Sequence, residues 1–297
     1  MFQAAERFRD LIIDSYTESP KMDSNNFHHF MKTLRYRLAG WGFPITPNEK
    51  RLLSFKGKHK GQRAFVIGNG PSLNLCDLGL LKSEITFGVN AIYLNREKMG
   101  FYPTYYVVED DFVAEDRADE INQLKGPIKF FGNNLSYCIH SQPDVVWLNL
   151  RMNYQSYPGF PYFGRNAARM VWVGGTVTYV CLQLAFYMGF TEIYLVGFDH
   201  SYKIPADAKI EGATIHSQSN DPNHFDSSYF GKGYRWHDPM VERMEQAFRR
   251  ARDVYQANGR KILNATIEGQ LEVFERTDYY SLFSSTPKKI EPGNKLA

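Results

Sequence analysis

The sequence has little of what marks secreted, membrane-spanning or nucleic-acid-binding proteins. Its three cysteines, Cys76, Cys138 and Cys181, are an odd number without metal-ligand spacing, which predicts reduced structural thiols. It contains no run of about 18 uncharged apolar residues, and its first nine residues lack a signal-peptide core. With 35 basic and 32 acidic side chains, the charge is too balanced for a nucleic-acid or bulk-membrane binder. We therefore expect a cytoplasmic protein with a small-molecule partner.

The chain is predicted to contain an N-terminal helical appendage with a basic linker, a catalytic domain and a flexible tail, at residues 1–60, 61–285 and 286–297. The appendage carries two short helix-like patches, at residues 6–16 and 27–38, before the basic run 56–63. Such a run is more often a solvated loop than a contact with anionic lipid or polyphosphate. A peripheral contact with the inner face of the membrane is the alternative interpretation, and the oligomeric state stays open.

Short apolar runs alternate with helical segments from residue 63 onward. The runs lie at residues 64–67, 85–89, 104–108, 128–131, 145–148, 192–196 and 261–264. Continuous apolar strands are typical of a sheet that is covered on both faces. One helix is predicted over residues 176–188, and another follows Trp236, with Asp238 as N-cap, Pro239 in the first turn and Gly259 as terminator. The alternation predicts an α/β, Rossmann-like, mostly parallel sheet with helices on both faces and a polar lid loop.

The first predicted strand ends in a candidate nucleotide loop formed by Gly68, Asn69, Gly70, Pro71 and Ser72. Its two glycines let the backbone turn tightly and approach a ligand, and the segment that follows can offer free amides to a phosphate. The spacing is not the dinucleotide fingerprint, because Leu73 stands where a third glycine would allow close helix packing. Glycines after a strand are often only a turn, so the prediction depends on polar residues elsewhere.

Polar residues also follow three other predicted strands, at the edge where parallel sheets bind ligands. They are Asn90, then Glu109, Asp110 and Asp111, and finally Gly197, Asp199 and Tyr202. Asn90 can recognise a ribose or a base edge, or it can only cap the strand end. The acidic triplet can hold a divalent metal on a nucleotide diphosphate or cap the next helix, and we favour capping combined with hydrogen bonding to substrate.

A polar, aromatic stretch at residues 216–237 lies between two core elements. A loop of this length is often an active-site lid. It groups side chains that suit a negatively charged leaving group, namely His224, Tyr229, Lys232, Tyr234, Arg235, Trp236 and His237. A single histidine there would more often be structural, but the cluster favours a catalytic role for the stretch.

Four motifs, at residues 66–73, 87–90, 193–199 and 229–231, resemble those of bacterial CMP-sialic-acid transferases in their order. The resemblance covers about residues 62–266 and is closer still to the MptE-like superfamily. That superfamily includes motility-associated flagellin glycosyltransferases and an archaeal 6-hydroxymethyl-dihydropterin pyrophosphokinase, so membership alone does not specify an activity. The resemblance implies nucleotide contacts at Asn69 and Asn90 and places Thr176 near the donor. It also implies contacts to the departing phosphate at Tyr202 and Tyr229.

The chain departs from the sialyltransferase pattern at two positions. Lys232 stands where the resemblance places the catalytic histidine, so the base is expected to be His237, His224 or Lys232. We rank His237 first, because the expected helix cap after it would fix its position, and we interpret Lys232 as a phosphate contact. The asparagine of the third strand becomes Glu109 or Asp110, which implies a different sugar donor or a metal.

The leading hypothesis is an inverting glycosyltransferase that moves an acidic sugar from a CMP donor to a bacterial surface glycan or glycoprotein, without an obligatory cofactor. The alternative is an ATP-dependent 6-hydroxymethyl-dihydropterin pyrophosphokinase, with Mg²⁺ held by carboxylates such as Asp110 and Asp111. A third reading is a non-catalytic nucleotide-binding scaffold in an envelope-assembly complex, with residues 1–60 as its docking arm. None of these has a nucleic-acid partner.

Overall fold

The computed structural model describes residues 24–152 and 159–283. The strands in these residues are β1 (Arg63–Ile67), β2 (Thr86–Val89), β3 (Tyr105–Val108), β4 (Ile128–Gly132), β5 (Val145–Leu148), β6 (Leu150–Arg151), β7 (Val171–Trp172), β8 (Glu192–Val196), β9 (Lys209–Glu211), β10 (Thr214–His216), β11 (Arg235–His237), β12 (Lys261–Asn264) and β13 (Glu275–Arg276). Eight of them form one sheet in the order β13-β12-β8-β1-β2-β3-β4-β5, with every neighbouring pair parallel. All seven predicted strands are confirmed.

The helices of the described residues are α1 (Ser24–Gly40), α2 (Pro47–Ser54), α3 (Arg96–Met99), α4 (Asp111–Asp116), α5 (Ala118–Gln123), α6 (Val177–Met188) and α7 (Val241–Gln256). Short 3-10 turns occur at Pro71–Leu75, Leu78–Ser83, Ile92–Asn95, Asn133–Tyr137 and Tyr280–Phe283. No helix within residues 24–152 and 159–283 is long and apolar enough to cross a bilayer.

Hydrophobic cores cover both faces of the sheet, as the continuous apolar strands predict. Along β1, Ala64 and Val66 join one buried cluster, whereas Phe65 and Ile67 join the other. Successive side chains of a strand point to opposite faces, so a strand that is apolar at every position must be covered twice. The α/β, Rossmann-like prediction is therefore confirmed.

Helix α6 lies in the first of these cores, and all of its residues are buried. Thr176 caps its start by accepting a hydrogen bond from Thr178 N, and Gly189 ends it with a left-handed backbone at φ 93°. Glycine adopts that conformation without the Cβ clash that other residues suffer. The predicted helix at residues 176–188 is thus confirmed, and its first turn is directed at the carboxyl ends of the strands.

The described part of the predicted appendage packs onto the sheet. Tyr36 of α1, Leu52 of α2 and Phe55 are buried in the same core cluster as α6. Asn48 also pairs with the edge strand β5, donating to Trp147 O at 2.9 Å and accepting from Trp147 N at 2.8 Å. The predicted patch at residues 27–38 lies within α1, and the patch at 6–16 lies outside the described residues.

Two predictions about the region after β8 need correction. The expected lid loop at residues 216–237 begins at the last residue of β10 and ends in β11, and these two strands pair antiparallel, so the loop is not wholly irregular. Strand β10 also pairs with β9, which lies before the expected loop. The helix after Trp236 begins at Val241 with Met240 as its N-cap, and Asp238 is not the cap. The reason is local pairing: His237 is still part of β11, and Asp238 N donates to Ala213 O at 3.0 Å, which keeps the backbone extended.

Candidate functional site

The order of the strands predicts where a ligand binds. From β1 the chain adds β2 to β5 on one side of the sheet and β8, β12 and β13 on the other. Such a reversal leaves a crevice at the carboxyl ends of the central strands, which is where open α/β sheets bind ligands. A cavity opens at this point, walled by the loops after β1, β2 and β8 and by the first turn of α6.

The cavity brings together ten of the site residues predicted from the sequence. They are Gly68, Asn69, Gly70, Asn90, Thr176, Gly197, Asp199, Tyr202, His224 and Tyr229. Six others are not part of its lining, namely Pro71, Ser72, Glu109, Asp110, Lys232 and His237. Residues so far apart in sequence converge here because parallel strands end at one edge of the sheet.

The amides of the glycine loop are engaged by protein groups, which corrects the prediction that they are free for a phosphate. Ser72 N lies 3.2 Å and 3.3 Å from the two carboxylate oxygens of Asp199, and Ser72 Oγ donates to Asp199 at 2.6 Å. Gly70 N donates to Gly197 O at 2.9 Å. The Asp199 carboxylate therefore occupies the anion position that the sequence assigns to a phosphate.

The same contact explains the glycines. A Cβ at Gly70 would lie 1.8 Å from Asp199 Oδ2, and one at Gly68 would lie 2.5 Å from Gly197 O. Both distances are far shorter than any tolerated contact, so the loops after β1 and β8 can touch only with glycine at these positions. A side chain at Gly70 would therefore disturb the protein itself and not only obstruct a ligand.

Two asparagine side chains present unsatisfied oxygens in the cavity. Asn69 Nδ2 donates to Val89 O and to the Tyr229 hydroxyl, each at 3.1 Å, whereas its buried Oδ1 has no hydrogen-bond partner among the described residues. The buried Oδ1 of Asn90 also has none there, and its backbone is left-handed at φ 50°. Buried polar atoms are nearly always hydrogen-bonded, so these oxygens indicate donors on a ligand.

The first turn of α6 provides a second polar wall. Thr176, Val177 and Thr178 all line the cavity, and the Thr176 hydroxyl lies 3.2 Å from that of Thr178. A helix N-terminus carries backbone N–H groups without intrahelical partners and a partial positive charge. Because none of the cavity's described lining residues is lysine or arginine, this turn is its main electropositive feature.

His224 enters the cavity as part of a hydrogen-bonded pair with Asp221. Its Nδ1 lies 2.6 Å from Asp221 Oδ2, and its ring stacks on Tyr229 with centroids 3.9 Å apart. A carboxylate only accepts hydrogen bonds, so Nδ1 carries the hydrogen and Nε2 keeps its lone pair. Asp221 is itself held by Phe230 N at 2.9 Å and Asn223 N at 2.7 Å.

The lid segment, residues 217–234, is fastened over the cavity from two sides. Phe225 N donates to Asn69 O at 2.9 Å, which joins the lid to the glycine loop. The buried Arg117 donates to Tyr229 O at 2.6 Å and to Ser228 O at 3.1 Å. These contacts hold Tyr229, and hence the His224 ring stacked on it, in a fixed position.

His237 lies outside the cavity, at an exposed position on β11. Its Nε2 is 3.1 Å from Asp111 Oδ1, and its ring stacks on Phe112 with centroids 4.1 Å apart. Asp110, Asp111 and His237 offer ligand atoms within 4.8 Å of one another, so together they could hold a divalent cation. Lys232 is exposed in the turn before β11, which does not favour the predicted phosphate contact.

The sequence suggests that Glu109 or Asp110 brings a negative charge to the donor, but neither side chain lines the cavity. Burial, reinforced by neighbouring Asp110, raises the pKa of Glu109 to about 8, so its side chain is neutral at pH 7. Burial also raises the pKa of Asp110, whose carboxylate caps α4 by accepting from Val113 N at 3.0 Å. The predicted helix-capping role of the triplet is confirmed for Asp110.

Sequence reasoning missed several residues of the cavity, among them His200 and Asn223. His200 has a left-handed backbone at φ 53°, its Nε2 lies 3.4 Å from Glu245 Oε1, and burial lowers its pKa. Asn223 joins two segments of the site by accepting from Lys203 N at 2.7 Å and donating to Lys203 O at 2.8 Å. His200 follows Asp199 directly, so the strand-end rule that selected Asp199 could have selected it too.

Comparisons with known proteins give one similar structure and one matching family. The structure is similar to that of a MAf glycosyltransferase from Magnetospirillum magneticum AMB-1, at 14% identity and a TM-score of 0.45. That match covers 77% of this chain but 38% of the other, so the chain spans less than half of that protein's length. A search of curated proteins gives no match. The sequence profile described as 6-hydroxymethylpterin diphosphokinase MptE-like matches residues 45–205, more than half of the chain, and the chain therefore belongs to the MptE-like family.

Proposed function

We propose that the protein is a glycosyltransferase that moves an acidic sugar from a CMP donor to a surface glycan or glycoprotein acceptor. The observation that carries this proposal is that His224, which is paired with Asp221, lines the same cavity as the unsatisfied oxygens of Asn69 and Asn90. Groups that can bind a ligand and a group that can accept a proton thus lie together at the ligand-binding edge of the sheet.

The cavity's polar groups match a nucleotide that carries one phosphate charge. The Oδ1 atoms of Asn69 and Asn90 can accept hydrogen bonds from an exocyclic base amine or a ribose hydroxyl. In this proposal the donor phosphate binds at the first turn of α6, where Thr176 and Thr178 can add hydroxyl donors. A nucleoside diphosphate would bring more charge to a lining without lysine or arginine, so a CMP-linked sugar fits better without a metal.

In the proposed reaction His224 is the general base. Its Nε2 takes the proton from the acceptor hydroxyl, whose oxygen forms a bond to the anomeric carbon of the donor sugar. The bond between that carbon and the phosphate oxygen breaks, and CMP leaves with the electron pair. Asp221 keeps the proton on Nδ1 and stabilises the imidazolium that forms, a role that needs no proton transfer to Asp221.

This proposal reverses the order of bases predicted from the sequence. His237 was placed first because a helix cap was expected beside it, but the helix begins at Val241 and His237 belongs to β11. His224 lines the cavity and has 17% of its side chain exposed, against 46% for His237. Catalytic groups need placement before they need a tuned pKa, so His224 is the better candidate.

Thermal denaturation with CMP, CDP, UDP, GDP and ATP, each with Mg²⁺ or EDTA, tests the donor class. Binding raises the melting temperature by mass action, so CMP should stabilise the protein equally with Mg²⁺ and with EDTA. Release of CMP from CMP-N-acetylneuraminate in the presence of a glycan acceptor then measures turnover. Stabilisation by CMP without CMP release from this or other CMP-linked sugars would favour a nucleotide-binding scaffold.

A second candidate function, ATP-dependent pyrophosphokinase activity, is favoured by the cluster of Asp110, Asp111 and His237. The two carboxylates of this cluster can hold the Mg²⁺ that diphosphate transfer requires. Release of AMP from ATP with 6-hydroxymethyl-dihydropterin tests this directly. A strict Mg²⁺ requirement with ATP, together with no stabilisation by CMP, would replace the glycosyltransferase proposal with this one.

A further inference from the structure

The segment between α1 and α2 exposes several large apolar side chains. Residues 41–45 read Trp-Gly-Phe-Pro-Ile, and all five are exposed. Trp41 is 70% exposed, Phe43 66% and Ile45 60%, so three large apolar side chains on neighbouring positions face solvent. Single exposed apolar residues are common, but adjacent ones are typical of interaction surfaces. We refer to residues 41–45 as the apolar loop.

Hydrogen bonds at both ends hold the apolar loop in place. At its start, Trp41 N donates to Leu38 O at 3.0 Å and Phe43 N donates to Leu38 O at 2.9 Å, which closes the end of α1. At its end, Ile45 N donates to Glu49 Oε2 at 2.8 Å as part of the capping box of α2. The three side chains are therefore displayed on a fixed loop that does not fold them inward.

The surroundings of the apolar loop are strongly basic. Residues 31–63 contain nine lysines and arginines and one acidic residue, Glu49, whereas the whole chain has a net charge of +3. Glu49 is fully buried and paired with Arg35, so it offers little negative charge at the surface. Among the residues of this region whose side chains the structure describes, the exposed cations are Lys50, Lys56, Lys58 and Lys60. The rest of the chain is net acidic, so the positive charge is concentrated here.

The apolar loop precedes helix α2, Lys50 lies within this helix, and the other three lysines follow it. Helix α2 has 8 residues, and at about 1.5 Å per residue it separates the loop from the basic run by about 12 Å. The basic run is itself anchored, because Gly57 N donates to Tyr187 O at 3.0 Å and His59 N to Met188 O at 2.8 Å. These carbonyls lie at the C-terminal end of α6, whereas the cavity lies at its N-terminal end.

We propose that the apolar loop and its flanking lysines dock the protein on an anionic lipid bilayer. Tryptophan and phenylalanine are the side chains that enter the interfacial region, and nearby lysines bind anionic headgroups. A nucleic acid would match the charge but would leave the proline and isoleucine of the loop without a role. A second copy of this chain would bring the same positive charge against itself, which disfavours self-association.

Co-sedimentation with large vesicles tests the docking surface, with phosphatidylcholine alone compared with equal parts phosphatidylcholine and phosphatidylglycerol. We expect binding to the anionic vesicles that weakens as salt is raised, because exposed charges are screened. Replacing Trp41 and Phe43 together by serine should lower the partition coefficient at least about tenfold, through loss of the apolar contact. Replacing the four exposed lysines by glutamine should have an effect of about the same size.

A matched control replaces Ile210 and Met240 by serine, since these residues are 60% and 59% exposed and lie outside the docking surface. The control should bind like the wild type, and circular dichroism should show all variants folded. The proposal is overturned if the wild type does not sediment with anionic vesicles, or if the Trp41 and Phe43 variant binds equally well. It is also overturned if light scattering shows a dimer that this variant dissociates, or if RNA binds in preference to vesicles. Nucleotide binding in the cavity is measured separately and does not depend on the result.

Discussion

Two histidine–aspartate pairs near the cavity look alike locally but differ in their surroundings. His224 lies 2.6 Å from Asp221 and stacks on Tyr229, and His237 lies 3.1 Å from Asp111 and stacks on Phe112. The side chains of the first pair are 17% and 2% exposed, whereas those of the second are 46% and 51% exposed.

The comparison teaches that pairing alone does not identify a catalytic histidine. Asp221 is fixed by two backbone amides and His224 faces a walled cavity, so the inner pair can direct one nitrogen at a bound substrate. The outer pair is exposed to water, which weakens its hydrogen bond and leaves its groups free to rotate or to bind a cation. We therefore expect substitution of the two histidines to affect turnover differently, and only the outer pair to be sensitive to a divalent metal.

Substitution of the inner histidine should have the largest effect. His224→Ala is expected to lower the rate of CMP release in the acceptor-dependent reaction by about 10²- to 10⁴-fold, because a general base stabilises the transition state. The affinity for CMP should change less than about threefold, since the base acts on the acceptor. His216→Ala, in the same region but outside the cavity lining, is the control. Normal turnover in a folded His224→Ala protein would remove His224 from the mechanism.

The same contrast between a buried and an exposed carboxylate occurs two residues apart, at Glu109 and Asp111. The pKa of Glu109 is raised to about 8 in the folded protein, well above its value in the unfolded chain. Its stabilising contribution is therefore present at low pH and is lost as the pH rises toward 8. Between roughly pH 5 and 8, this group should lower the free energy of unfolding of the wild type by about 1.4 kcal/mol per pH unit. In Glu109→Gln this decrease should be absent.

Urea unfolding at several pH values measures this difference, with Glu275→Gln, on the exposed strand β13, as a control for the substitution itself. The free energy of unfolding of Glu109→Gln should fall less steeply with rising pH than that of the wild type. Parallel curves for the two proteins would show that Glu109 is ionised in the folded state.

Asn69→Ala should weaken CMP binding by about tenfold, because it removes the unsatisfied acceptor oxygen assigned to the ligand. It also removes the bond to Tyr229, so a thermal melt must first establish that the apo protein is stable. Asn258→Ala, at an exposed asparagine beyond the end of α7, is the matched control. Titration calorimetry that gives the same dissociation constant for Asn69→Ala and the wild type would place the nucleotide elsewhere.

The smallest effect is expected at the outer pair. His237→Ala should leave CMP-sugar turnover within about twofold of the wild type, because an exposed residue outside the cavity makes no contact with the proposed donor. A steady-state assay with and without Mg²⁺ checks this. A large loss of a Mg²⁺-dependent activity in this variant would instead assign function to the cation cluster with Asp110 and Asp111.

The sheet could be predicted from the sequence because strand burial is a local pattern. Each of the seven apolar runs is long enough to span a sheet and is followed by polar residues, so both the strands and their ligand-binding edge are visible without a structure. Thr176 was also predictable as a helix cap, since a threonine before an apolar helix is a sequence signal.

The details of the site could not be predicted because they depend on contacts between distant residues. Nothing in the residues around Gly70 indicates that Asp199, more than a hundred positions away, fills the space beside it. The start of α7 is likewise set by the pairing of β11 with β10, which overrides the capping signal at Asp238. The choice between His224 and His237 rests on such contacts, and the cap expected at Asp238 is not formed.

The most direct test of the account is a calorimetric titration of CMP, in EDTA, into the wild type and His237→Ala. If the cavity is the donor site, CMP should bind saturably at one site in both proteins. The dissociation constant should be the same in both, and Mg²⁺ should not increase the affinity. The account is contradicted if CMP does not bind, while ATP binds only with Mg²⁺ and fails to bind His237→Ala. That result would move the nucleotide from the cavity to the cluster of Asp110, Asp111 and His237.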